Sequence, residues 1–280
     1  MSDLTKRVLD AYSKFDDPRS KELTQSLIKH IHSFVKDVRL TNQEWEFCWK
    51  TFRTMADFTG DDRNEFLLMG DILGVSQLVE EVNHQVDGVE NKFALVGPFL
   101  RANAPFRDNG AVIMSDNTAG ERVEIKLNIK STNNQPIAGA VIDVWQAATN
   151  GKYECEDANQ PDMNLRGKFV TDNDGKASLV ALVPTAYPVP NDGPAGDLLR
   201  SAKRNILRPA HIHFIVVAEG FETLVTQVFI DGDKQTEDDP VFTANHSMSE
   251  HFVKQADDYS LECNFVLSKG ESTYPEAPIK

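Results

Sequence analysis

The sequence has little of what would tie it to a disulfide scaffold, a membrane or a nucleic acid. Its three cysteines, Cys48, Cys155 and Cys263, are odd in number and far apart. They make neither a disulfide framework nor a Cys-x-x-Cys metal pair, so a reducing compartment, the cytoplasm, is the expectation. No stretch approaches the roughly 20 apolar residues of a membrane span. The start, Met1-Ser2-Asp3-Leu4-Thr5-Lys6-Arg7, has no signal-peptide apolar run. Basic residues are the minority, 29 Lys and Arg against 43 Asp and Glu, for a formal charge of −14. Phosphate contacts call for the opposite balance, which argues against a nucleic-acid binder. Internal repeats and low-complexity tracts are absent as well. What is present is an ordinary globular composition, 40% hydrophobic and 26% charged over 280 residues, enough for one large domain or two modest ones.

The pattern changes near residue 90. Before it, apolar residues recur at helical spacing: Val8, Leu9, Tyr12 and Phe15, then Leu23, Leu27, Ile31, Phe34 and Val38. Thr41 with Glu44 forms a capping-box signature ahead of Trp45, Trp49 and Phe52. A fourth helical stretch begins near Asp61 and runs through Phe66, Leu67, Ile72, Leu73, Leu78 and Val82, where Gly70 and Gly74 argue against one straight helix. Beyond residue 90 the period becomes two. Val123, Ile125, Leu127 and Ile129 alternate with polar residues, as in a half-buried strand. Further strands are predicted at 140–145, 167–171, 177–183, 210–217, 223–230 and 261–267, with turns at Asn133–Pro136 and Asp172–Gly175. The expected fold is therefore mixed and mainly β: a helical region over 1–92 and a β-sandwich over 93–280.

Chemistry concentrates in a few short segments. In Arg208-Pro209-Ala210-His211-Ile212-His213-Phe214 the two histidines are two apart on a predicted strand, so their imidazoles share one face. Such a pair offers two neutral nitrogen ligands to one metal, although His-x-His alone is more often a buried structural histidine beside an incidental one. Two of the five tyrosines sit outside strands. Tyr153 follows Asn150-Gly151-Lys152, and Tyr187 lies in Pro184-Thr185-Ala186-Tyr187-Pro188-Val189-Pro190, where proline restricts the backbone. Taken singly, each tyrosine reads as a packing residue.

Together with Leu95-Val96-Gly97-Pro98-Phe99, Gly139 to Trp145 and Tyr187 to Pro194, these segments resemble the intradiol ring-cleaving dioxygenases. The motifs stand in family order through most of residues 60–245. The resemblance implies a mononuclear non-haem Fe(III) centre held by Tyr153, Tyr187, His211 and His213, with Tyr153 and His211 equatorial and Tyr187 and His213 axial. Holding a phenol as phenolate at pH 7 costs roughly 4 kcal/mol, within reach of a trivalent cation. By the same likeness an ortho-diphenol displaces Tyr187, which takes up a substrate proton. Dioxygen then attacks the ring, and Arg208 and Gln227 stabilise developing negative charge.

Ala186 to Pro194, Phe214 to Val217 with Gly220 to Leu224, and Asn109-Gly110-Ala111 resemble the branch that opens hydroxyquinol to maleylacetate. The catechol branch, giving cis,cis-muconate, is the alternative. Leu78, Glu81, Val96, Gly97, Pro98, Phe99, Val189, Pro190, Arg208 and Val241 would line the pocket, with Glu81 accepting from the third hydroxyl of hydroxyquinol. Gln77 and Cys155 depart from the family pattern. The helical region would form a homodimer, with a lipid in a tunnel at the interface as in relatives. Two rivals stand against this reading. A cupin-type His-x-His site fits poorly, since the nearest acidic residue, Glu219, is six positions past His213. A non-catalytic β-sandwich binding module predicts no iron and no colour.

Overall fold

The computed structural model describes residues 3–60, 63–84 and 92–278. The expected helix start near Asp61 and the change of pattern near residue 90 lie outside them. The chain forms two compact units, Met1–Thr54 and Met55–Lys280. The division at residue 92 expected from helical against alternating pattern is a division of secondary structure. Packing divides the chain earlier, because the helices after residue 64 pack within the strand-rich unit.

The first unit contains α1 (Asp3–Ala11), α2 (Pro18–Asp37) and most of α3 (Asn42–Asp57). Asp17 caps α2 by accepting from the amides of Arg19 and Ser20, with Pro18 at its first turn. The Thr41–Glu44 box forms in both directions: Glu44 Oε2 accepts from Thr41 N (2.8 Å), and Thr41 Oγ1 from Glu44 N (3.2 Å). Leu23, Leu27, Ile31 and Phe34 along α2, and Trp45 and Trp49 on α3, are exposed. Among the described residues no helix is long and apolar enough to cross a membrane.

In the second unit, α4 (Glu65–Ile72) and α5 (Val75–Asn83) are separated by Gly74, whose φ of +70° breaks the helix where a side chain would be strained. The strands are β1 (Ala111–Val112), β2 (Arg122–Ser131), β3 (Val141–Trp145), β4 (Arg166–Val170), β5 (Lys176–Leu182) and β6 (Tyr187–Pro188). After α6 (Pro194–Ser201) come β7 (Leu207–Arg208), β8 (His211–Val217), β9 (Leu224–Ile230), β10 (Ser249–Glu250), β11 (Val253–Gln255) and β12 (Asp258–Leu267). Two open five-stranded sheets result, ordered β1-β5-β2-β12-β11 and β10-β9-β8-β3-β4, with β6 and β7 paired apart. One buried cluster draws on both: Val123, Ile125, Leu127 and Ile129 of β2 with Ile142, Val144, Ile212, Phe214 and Val216 of β3 and β8. The Asp172–Gly175 turn needs its glycine twice over. Gly175 has φ +71°, and a Cβ there would stand 2.5 Å from the Ile129 carbonyl oxygen.

Candidate active site

Alternation along β8 places the site. Ile212, Phe214 and Val216 point into the apolar core, so His211 and His213 point to the opposite face of the sheet. Register then assembles a row across that face. Gln227 of β9 pairs with His213, His213 with Trp145 of β3, and Trp145 with Arg166 of β4. All four are buried. The Trp145 ring lies flat on the His213 imidazole, with centroids 4.6 Å apart and planes at 10°. Gly97 approaches from above, where a Cβ would come within 3.3 Å of His213 Cε1.

Tyr153 and Tyr187 close over this row. Tyr153 stacks on Phe99 at 4.4 Å, and its hydroxyl is 3.1 Å from that of Tyr187. Tyr187 is paired with Arg208 across β6 and β7, and its hydroxyl lies 3.1 Å from His211 Nε2. His211 Nε2 is in turn 3.2 Å from His213 Nε2. His211 Nδ1 donates to the Pro209 carbonyl (2.7 Å), which fixes the tautomer and leaves the Nε2 lone pair facing inward. Burial, then the charge of Arg208, lowers the His211 pKa to about 3, and burial, then His211, keeps His213 neutral as well. Burial pushes the phenols of Tyr153 and Tyr187 above their usual range, so an adjacent cation is what would make them phenolates.

This donor set fits a metal ion. Two atoms each about 2.1 Å from one cation and separated by a right or tetrahedral angle lie about 3.0–3.4 Å apart. The Tyr153–Tyr187–His211–His213 series runs at 3.1, 3.1 and 3.2 Å. With His213 in the same tautomer as His211, both Nε2 lone pairs would be available to one cation. Among the described residues no three His, Cys, Asp or Glu cluster as a metal site.

Arg208 adjoins the donors with Nη1 3.2 Å from His211 Nε2, and Nη2 donates to Gln227 Oε1 (2.9 Å). Gln227 Nε2 donates to the Leu95 carbonyl, tying the 95–99 segment to β9. Opposite Arg208 stands Asp239, which the sequence reading missed. Its two oxygens each accept from the guanidinium at 3.2 Å, and also from the amides of Val241, Thr243 and Ala244. Burial raises its pKa, but Arg208 and the Ala244 amide together hold the carboxylate below its usual range. On the far side Arg166 was missed too: Nε donates to Glu154 Oε1 (2.6 Å) and Nη1 to the Phe99 carbonyl (2.6 Å). Only strand register reveals it.

Two of the donors, Tyr187 and His213, line a cleft of about 1140 Å³. Gly97, Pro98, Phe99, Val189, Pro190, Arg208 and Val241 line it. Val96 does not; it packs beside the cluster of Leu100, Trp145 and Tyr153. Leu78 and Glu81 are a correction. Both are exposed on α5, whose buried residue is Gln77. Gln77 Oε1 instead accepts from the Thr243 hydroxyl (3.1 Å). Two buried acids line the cleft, Glu154, paired with Arg101 and Arg166, and Asp71 of α4, which shares its lining with Leu67, Leu68, Leu95, Val189 and Val241. Burial, against the opposing pull of Ser76 and Arg208, raises the Asp71 pKa.

Comparison with known proteins places the chain in a family. The family model described as Dioxygenase matches residues 95–268, and that described as Catechol dioxygenase N terminus matches residues 17–90. A hydroxyquinol 1,2-dioxygenase of Rhizobium sp. (strain MTP-10005) is 41% identical over 243 residues, 86% of this chain and 82% of that protein. A 6-chlorohydroxyquinol 1,2-dioxygenase of Cupriavidus pinatubonensis is 35% identical over 95% of this chain and 96% of its own. The solved hydroxyquinol 1,2-dioxygenase of Pseudomonas putida DLL-E4 superposes with a TM-score of 0.88 at 33% identity, covering 95% of this chain and 98% of that one. The chain belongs to the intradiol ring-cleaving dioxygenases.

Proposed function

We propose that this enzyme opens hydroxyquinol (1,2,4-trihydroxybenzene) with dioxygen between its adjacent hydroxylated carbons, giving maleylacetate (3-hydroxy-cis,cis-muconate). The observation that carries the reading is the run of two phenol oxygens and two imidazole nitrogens at 3.1–3.2 Å, beside Arg208 and at the base of a cleft. Tyr153, Tyr187, His211 and His213 would hold Fe(III), which the anionic oxygen donors favour over Fe(II). When bound, the ion would supply Lewis acidity that activates the diphenol towards dioxygen.

The chain's own groups do the rest. Tyr187 Oη receives a substrate proton, which its hydrogen-bonded position against Tyr153 allows. Arg208, held by Asp239 and Gln227, presents a fixed positive charge where negative charge develops. Apolar Leu68, Leu95, Val189 and Val241 exclude water from the ring, and Asp71 accepts from the third hydroxyl in the role first assigned to Glu81.

The fold supports a two-layer β-sandwich for the catalytic region, since the two sheets share one apolar core. The exposed apolar stripe of α2 and the paired Trp45 and Trp49 support a homodimer built on the helical region, where a lipid chain would lie against apolar faces. Three unpaired cysteines support a cytoplasmic location. The test is side-by-side turnover of hydroxyquinol and catechol by iron-loaded protein, with products identified by mass spectrometry. Preference for hydroxyquinol giving the maleylacetate-type acid supports the reading. Better cleavage of catechol to cis,cis-muconate keeps the centre and overturns the substrate, and no ring-opened product overturns both.

A further inference from the structure

The chain does not leave the molecule where β12 ends. Ser268 O accepts from Glu222 N (2.9 Å), and Gly270 N donates to Gly220 O (3.2 Å). Thr223 Oγ1 donates to Thr273 O and accepts from Thr273 N. The Tyr274 hydroxyl then donates to Asp143 Oδ2, a carboxylate 1% exposed on β3. Lys168 Nζ lies 3.5 Å from the same carboxylate and 4.9 Å above the Tyr274 ring. From that anchor the chain reaches the site. Ala277 packs against the cluster of Trp145, Tyr153 and Tyr187, and Pro278 is part of the cleft lining. Pro275 and Pro278 fix φ, and Pro275 holds Tyr274 extended, so this is a stiff segment rather than a loose end.

We propose that residues 275–278 are a specificity-determining wall of the cleft, pinned by the Tyr274–Asp143–Lys168 cluster, that limits the bulk of ring substituent an ortho-diphenol can carry. The geometry favours this over a role in holding the metal. None of the four donors bonds to the segment, whereas Ala277 touches the cluster that contains two of them and Pro278 faces the substrate space. Removing the wall would open the cleft to larger rings without altering the donors.

The assay rests on the ring-cleaving reading and is built so that the two fail separately. Iron-loaded wild type, a chain ending after Tyr274, Pro278→Gly and Tyr274→Phe are compared on catechol and on 4-tert-butylcatechol. The expected result is a rise of tenfold or more in kcat/KM for the bulky diphenol relative to catechol in the shortened chain. Pro278→Gly and Tyr274→Phe move the same way by less, and the visible iron band is unchanged throughout. An unchanged ratio in all three variants overturns the proposal, and so does loss of the iron band, which would make the segment part of the centre's support. If wild type opens neither diphenol but opens hydroxyquinol, the ring-cleaving reading stands, and if it opens none of the three, that reading fails. Calorimetric binding of the same two diphenols without oxygen then decides the wall by the same ratio, and equal ratios in wild type and variants overturn it.

Discussion

Replacing Asp239 with asparagine removes one charge from a nearly isosteric side chain and tests how the site holds its buried arginine. Asp239 accepts five N–H bonds, two from Arg208 and three from backbone amides, split between both oxygens. An asparagine has one oxygen and one NH2. Whichever way it turns, the NH2 faces donors: Arg208 Nε and Val241 N in one orientation, or Arg208 Nη2, Thr243 N and Ala244 N in the other. The variant therefore loses the ion pair and gains a donor–donor clash, and Arg208 is left buried and unpaired. Breaking one partner of a buried pair costs about 3–5 kcal/mol, and the clash places Asp239→Asn within that range. Equilibrium urea unfolding with an unchanged m-value measures it. The acid limb gives a second reading. The Asp239 pKa is below its usual range in the folded chain, so its stabilisation is complete above the unfolded value near 3.9 and is lost as pH falls through the lower folded value. The variant has no such carboxylate and lacks this part of the acid-side slope. A loss below about 1 kcal/mol, which is all that exposed pairs reach, with the acid limb unchanged, would refute the argument.

Tyr187→Phe removes a phenol oxygen from the proposed donor set, and iron should still be held by Tyr153, His211 and His213. The expected fall in kcat is about 10²–10⁴-fold, the range for a positioned proton acceptor, with an altered phenolate band, and unchanged turnover would refute the role. Asp71→Leu should reduce the preference for hydroxyquinol over catechol by about 10–100-fold, because the third hydroxyl is buried without an acceptor. Catechol turnover should hold steady. The pKa of Asp71 is raised by burial, so in wild type that preference should fade as pH drops through the upper carboxylate range, and the pH profile of the ratio measures this. Stripping the protein with a chelator should abolish both activity and visible absorption, and Fe(III) should restore them while Zn²⁺ restores neither.

How far the sequence disclosed the site depended on how local each signal was. Val123 to Ile129 declared β2 through a period of two, and His211-x-His213 placed two imidazoles on one face by the same rule. The family motifs joined both tyrosines to them. Nothing local marked Asp239, which stands in Asp238-Asp239-Pro240 like any surface acid until chain reversal brings it under Arg208. Arg166 was equally silent, since its place beside Trp145 is a product of register between strands about 20 residues apart. Leu78 and Glu81 failed for a different reason. A helix of nine residues carrying Val75, Leu78, Val79 and Val82 has more than one apolar face, and only its packing shows that Gln77 is the one turned inward. Strands β1, β6, β7, β10 and β11, two or three residues each, are too short to show any period.

The same alternation that folds the β8 sheet also aims its chemistry, and this binds stability to function. A slip of one residue in β8 would carry His211 and His213 into the apolar core and expel Ile212 and Phe214, a penalty paid on every residue of the strand. Core burial thus fixes the histidine face far more firmly than the polar contacts could, and the polar contacts are free to set orientation only. That division explains why so much charge is tolerated on the outer face. Arg166 with Glu154 and Arg208 with Asp239 flank the donor row on opposite sides, and neither pair lies in the core that the two sheets share. Buried pairs of this kind add little net stability over apolar substitutes, so what their placement provides is a fixed geometry. Arg166 holds the Phe99 carbonyl and so the ring that stacks on Tyr153, while Asp239 holds Arg208 against His211. One pair steadies the phenol side of the donor set and the other the imidazole side, and the apolar strands between them carry the cost of folding.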